Sequence, residues 1–67
     1  MPRSYRVELR QPRRTRILAN GLQVKPHFRS LDPYISRLVH DGKAGVVVLI
    51  DNQTGAIVAR RRVEPAR

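Results

Sequence analysis

Sixty-seven residues carry fourteen Lys+Arg against five Asp+Glu, a net charge of +9, with no cysteine and no tryptophan. That excludes a disulfide or a thiolate zinc site. It also limits the chain to a single domain, 1–67, burying only about 60% of its unfolded surface. No apolar run approaches the roughly 18 residues of a membrane span and no apolar signal core opens the chain, so it reads as cytoplasmic with no membrane partner. A core this small leaves room for a homodimer or a stabilising bound partner.

Met1–Ser4 is expected to fray. Tyr5, Val7 and Leu9 then alternate with Arg6, Glu8 and Arg10, the pattern of a half-buried strand. Gln11 to Arg14, with Pro12 inside it, reads as a connection. Asn20-Gly21 separates Ile17-Leu18-Ala19 from Leu22-Gln23-Val24, and this dipeptide favours a two-residue hairpin turn. In that register Ala19, Leu22, Ile17 and Val24 share one face, and Leu18, Gln23, Arg16 and Lys25 the other. Pro26 closes the second strand.

Asp32-Pro33 has the form of a helix N-cap followed by an N1 proline. Ile35, Leu38 and Val39 give an apolar stripe, and Gly42 fits the left-handed residue beyond the helix end. The spacing predicts a helix over Pro33 to Asp41. Val46 to Ile50 is a continuous β-branched run suited to a central strand. Asp51 to Gly55 is turn chemistry, and Ala56 to Val63 returns as a hairpin partner before a frayed Glu64–Arg67. The fold class is α+β: an antiparallel sheet of about five strands, in the order strand, hairpin, helix, hairpin, with one short helix on one face.

Twelve of the fourteen basic residues are arginine, Lys25 and Lys43 being the exceptions. A GC-rich coding sequence explains that ratio but not the charge excess, whose self-repulsion a bound anion relieves. Arginine's planar fork suits phosphate. Three basic groups stand out: Arg6 and Arg10 on the first strand; Arg14 and Arg16 with Gln23 and Lys25 on the predicted hairpin; and Arg60 and Arg62 on the last strand. Arg61, on the opposite parity, is expected at the edge of the core, and Glu8 is expected to pair with arginines across the sheet. A solvated surface that merely discourages edge pairing competes with the binding reading.

Only Tyr5, Phe28 and Tyr34 are aromatic, and both tyrosines fall on core positions, so base stacking on exposed aromatics finds little support in the sequence. His27 and His40 are thirteen residues apart and lack the spacing of a metal site, so no metal or other cofactor is expected. A ribonuclease built from Tyr34, His27, His40 and Arg61 has only residue types in its favour, and the chain is not expected to be an enzyme. Asn52-Gln53-Thr54 is a chance glycosylation triplet in a turn. The reading is a nucleic-acid-binding module that grips phosphates through arginine, duplex DNA slightly ahead of structured RNA. The alternative is a small regulatory adaptor or inhibitor, as compact phage-like genomes encode. It would dock on an acidic surface of a polymerase, nuclease or ribosome-associated factor.

Overall fold

The computed structural model describes residues 3–64. Four strands form one antiparallel sheet: β1 (Tyr5–Gln11), β2 (Arg14–Leu22), β3 (Gly45–Asp51) and β4 (Ile57–Val63), in the spatial order β2-β1-β3-β4. A 3₁₀ turn (Phe28–Leu31) runs directly into the helix α1 (Asp32–His40), and together they cover one face. No helix among the described residues is long and apolar enough to cross a membrane.

The fold class is α+β as the sequence implies, but with four strands rather than five. The difference lies at Asn20-Gly21, which does not reverse the chain. The reversal comes at Pro12-Arg13, where Gln11 pairs with Arg14 and β2 runs back along β1. Neither turn residue has a positive φ, so this is not the primed turn that Asn-Gly serves; proline's fixed φ supplies the bend instead. Reversing here pairs β2 with the whole of β1, from Gln11↔Arg14 to Tyr5↔Leu22. A hairpin at Asn20-Gly21 has arms of only four residues, Arg16 to Ala19 and Leu22 to Lys25, before Pro26. The positive φ of Gly21 (73°) is used within β2, where one extra residue between the Tyr5↔Leu22 and Val7↔Ala19 pairs makes a bulge.

A second irregularity follows at Leu18, between Ala19 and Ile17. It turns both Leu18 and Ala19 against the core, together with Leu22, and leaves Ile17 63% exposed. The expected division of faces along this segment therefore does not hold. Gln23 to Lys25 is not a strand, because β2 ends at Leu22, before Pro26 can act.

Tyr5, Val7 and Leu9 of β1 point to the helix side and pair with Asp51, Leu49 and Val47 of β3. With Val63, Leu31 and Leu38 they make the core. Each fully buried valine or leucine is worth about 1.5–3 kcal/mol. The apolar stripe of the helical segment is Leu31, Tyr34, Ile35 and Leu38, at i, i+3, i+4 and i+7. Val39, expected on it, is exposed. Leu31, not Asp32, occupies the N-cap, and its side chain makes no cap hydrogen bond. Asp32 is the first helical residue and pairs with Arg61, which fixes β4 to the helix start, where a carboxylate also suits the dipole. The helix ends as expected at Gly42 (φ 70°). The amides of Gly42 and Lys43 donate to the carbonyls of Val39 (3.1 Å) and Leu38 (2.9 Å), the two bonds of a Schellman motif.

β3 and β4 form the expected hairpin. Asp51 Oδ1 accepts from the Gln53 amide (2.8 Å), and Gly55 takes a φ of 76°. Of the termini expected to fray, Met1, Pro2 and Pro65 to Arg67 lie outside the described residues. Ser4 is held instead, its carbonyl accepting from the Asn52 amide at 3.0 Å. Arg3 likewise bonds the buried Asp51 carboxylate at 3.0 Å.

Gly45 opens β3 at φ 148°, where a Cβ would lie 2.8 Å from the Arg10 carbonyl oxygen and 2.9 Å from Leu9 Cδ1. Gly42 has open space around it. Gly45→Ala is therefore expected to cost about 2–3 kcal/mol in urea unfolding, and Gly42→Ala only about 1 kcal/mol, for its backbone conformation alone. Equal losses for the two variants would contradict the close approach of β1 to Gly45.

Candidate nucleic-acid interface

Directly paired residues share a face of the sheet, so the registers give the sidedness of every strand residue. On the side away from α1, Arg6, Glu8 and Arg10 of β1 stand beside Ile50, Val48 and Val46 of β3. Beyond them β4 presents Ile57, Arg60 and Arg62. Arg10, Val46 and Arg62 thus make one row across three strands, and Glu8, Val48 and Arg60 the next. At ordinary strand spacing, Arg10 and Arg62 are about 10 Å apart in backbone position, and Arg6 and Arg10 about 14 Å. Val48 and Ile50 are buried although the helix lies on the other side. Arginine stems flanking them suit that role, since they can lie along apolar surface with their heads in water.

Glu8 organises β1's part of this face. Its Oε2 accepts from Arg6 Nε at 2.8 Å and its Oε1 from Arg10 Nε at 3.3 Å. Both partners lie two residues away on the same strand, not across the sheet as expected. Arg6 Nη1 also donates to Asn52 Oδ1 at 2.8 Å, and Asn52 Nδ2 reaches Asn20 Oδ1 at 3.0 Å. The Arg6 hydrogen bond is the main influence holding the Glu8 carboxyl below its ordinary pKa; burial opposes it and the Arg10 bond adds to it. One carboxylate between two guanidiniums leaves one positive charge in excess. Arg60 and Arg62 form no ion pair among the described residues.

Of the eight residues singled out from the sequence, Arg6, Arg10, Arg60 and Arg62 share this open face. Arg14 and Arg16, opposite Gln11 and Leu9, lie on the helix side at the β2 edge. Gln23 and Lys25 are in the loop after β2. The four-residue ribbon of Arg14, Arg16, Gln23 and Lys25 is therefore not formed, because the chain reverses eight residues earlier. Arg61 lies half-buried on the core side, where parity placed it.

The end of the sheet at Pro12-Arg13 collects further charge. A groove of about 480 Å³ brings Arg10 and Arg62 together over Val46, with Glu64 at its border. On the helix side, Arg37 and Lys43 join Arg16 in a second cleft. Neither residue belongs to the three basic groups that the sequence marks out, since Arg37 is the one arginine of the helix and Lys43 stands alone after it. The signal available for Arg37 was its position one turn after Tyr34, on the side of the helix that turns toward β2.

The two tyrosines both belong to the helix side, Tyr5 buried and Tyr34 half-buried. His27 precedes the 3₁₀ turn, and its Nδ1 accepts from the Arg29 amide at 3.1 Å. His40 closes α1. Among the described residues no three of His, Asp and Glu sit together as a metal site needs. Comparison with family models, curated proteins and solved structures returned no match to this chain.

The depressed Glu8 pKa sets a direction for stability. Its contribution is complete above the ordinary glutamate pKa of about 4.3 and is lost as pH falls through the lower folded value. Wild type is expected to lose stability on acidification below about pH 4 more steeply than Glu8→Gln. Urea unfolding at several pH values checks this, and parallel curves for the two proteins contradict the Glu8 linkage.

Proposed function

We propose that this chain is a non-enzymatic module that binds nucleic acid through arginine–phosphate contacts, with duplex DNA favoured over structured RNA. The observation that carries the reading is the gathering of Arg6, Arg10, Arg60 and Arg62 on the sheet face away from the helix. Backbone phosphates are anions set at intervals along an extended surface, and a face of spaced guanidiniums complements them. Contacts of this kind position a protein on a duplex without reading its sequence. Neither tyrosine lies on the open face, so contacts there are with the phosphate backbone rather than with bases stacked on tyrosine.

The exposed aliphatic side chains Ile17 and Ile57 flank the same face. They favour a second reading, in which arginines and aliphatics dock on an acidic protein surface, arginine being common at such interfaces. Salt dependence separates the two. If the three charges in excess on this face, one from Arg6 and Arg10 with Glu8 and two from Arg60 and Arg62, each neutralise one phosphate, log affinity for duplex DNA falls against log salt with a slope of about −2.7.

Fluorescence anisotropy with labelled duplex DNA, hairpin RNA and single-stranded DNA measures it. Arg60→Glu with Arg62→Glu is expected to weaken duplex binding by more than about 100-fold, from two lost contacts and two added repulsions. Arg16→Glu with Lys25→Glu, away from the open face, is expected to cost less. The opposite ranking moves the interface to the β2 edge. Weak binding, equal on all three nucleic acids and independent of both double mutants, leaves the protein-docking reading.

A further inference from the structure

On the helix side, the end of α1 stands apart from β2 and leaves a cleft of about 350 Å³. Three cations from three different elements line it: Arg16 of β2, Arg37 of α1 and Lys43 of the segment leading to β3. Leu18, Leu38 and Tyr34 supply an apolar wall. None of the three cations forms an ion pair among the described residues. Asp41 also borders the cleft and is likewise in no ion pair there, so three positive charges face one negative.

Arg37 and Lys43 near a helix C-terminus have a structural reason of their own, since cations there suit the dipole. That reason does not extend to Arg16, which comes from the facing strand. Like charges brought together around a concavity repel, and a bound anion relieves the repulsion. The excess of two matches a phosphomonoester, which carries about −1.5 to −2 at neutral pH. A backbone phosphodiester carries one charge and matches it less well. The cleft is at the small end of ligand sites, roughly 300–1,000 Å³, too narrow for a duplex. Its leucines and half-buried tyrosine suit a flat apolar group beside the phosphate.

We infer that this cleft is a phosphomonoester site that takes one nucleotide, with Arg16, Arg37 and Lys43 on the phosphate and the base against Leu18 and Tyr34. The ligand is either a free mononucleotide or the phosphorylated end of a strand, which share this chemistry. The site lies across the sheet from Arg60 and Arg62, so failure of the open face to bind DNA does not decide it, nor the reverse.

Amide NMR of the full chain, titrated with adenosine monophosphate and separately with adenosine, tests the inference. The expected result is saturable shifts centred on Leu18, Arg37 and Lys43 with the nucleotide and none with the nucleoside. Arg37→Glu is expected to weaken binding by about tenfold or more through a lost charge-assisted contact and added repulsion. Arg16→Glu serves the same purpose should Arg37→Glu fail to fold. Arg60→Glu with Arg62→Glu is expected to leave nucleotide binding intact. No saturable shift, or shifts spread evenly over both basic faces, overturns the site. An oligonucleotide with a terminal phosphate binding more tightly than its hydroxyl counterpart assigns the site to strand ends; equal binding of the two assigns it to free nucleotides.

Discussion

The antiparallel pairing of β1 with β3 sets what each side of the molecule presents. β1 alternates apolar and charged residues, whereas β3 is apolar on both faces from Val46 to Ile50. Laid side by side, they put Val7, Leu9, Val47 and Leu49 under the helix, and Arg6, Glu8 and Arg10 beside valine and isoleucine on the other face. A shift of one residue would carry the arginines into the core and is forbidden by the cost of burying their charge. Gly45 allows the two strands to approach closely where β3 begins, and the Gln11 side-chain amide closes that end on the Ala44 carbonyl at 2.9 Å.

Charge is distributed according to that pairing. Where an arginine serves the fold it has a carboxylate: Arg61 with Asp32 between β4 and the helix, Arg3 with Asp51, Arg6 and Arg10 with Glu8. Three of the five carboxylates are used in this way. Arg60 and Arg62 on the open face, and Arg16, Arg37 and Lys43 around the β2 edge, form no ion pair among the described residues, and there the mutual repulsion of the cations opposes the fold. The free edges follow the same logic. β4 carries three consecutive arginines and β2 two irregularities, both devices that discourage pairing with another sheet.

Much of the fold was legible locally. The alternation of Tyr5 to Leu9, the β-branched run Val46 to Ile50, the turn at Asp51 to Gly55 and the Gly42 helix end each appear close to where the sequence puts them. These features answer to rules acting over a few residues: side-chain period, proline and glycine dihedrals, terminal hydrogen bonds. Asn20-Gly21 obeyed the same kind of rule, since Gly21 does take a positive φ, but that conformation fits a bulge as well as a turn. Only competition between two ladders, one of four-residue arms and one along the whole of β1, decides between them.

The candidate site divides along the same line. Sequence alone determined that the chain is basic, that arginine dominates, and that Arg60 and Arg62 share a face that Arg61 does not. Period-two geometry holds for a strand whatever it packs against. The tertiary structure decided which strands lie side by side, and so brought Arg6 and Arg10 to within two strands of Arg60 and Arg62, across some fifty residues of chain. It also turned Arg16 toward the helix side and set Arg37 and Lys43 opposite it. No local rule could give that arrangement, because it depends on where the chain reverses, and burial of the β1 and β3 side chains selects the reversal that pairs the longer strands.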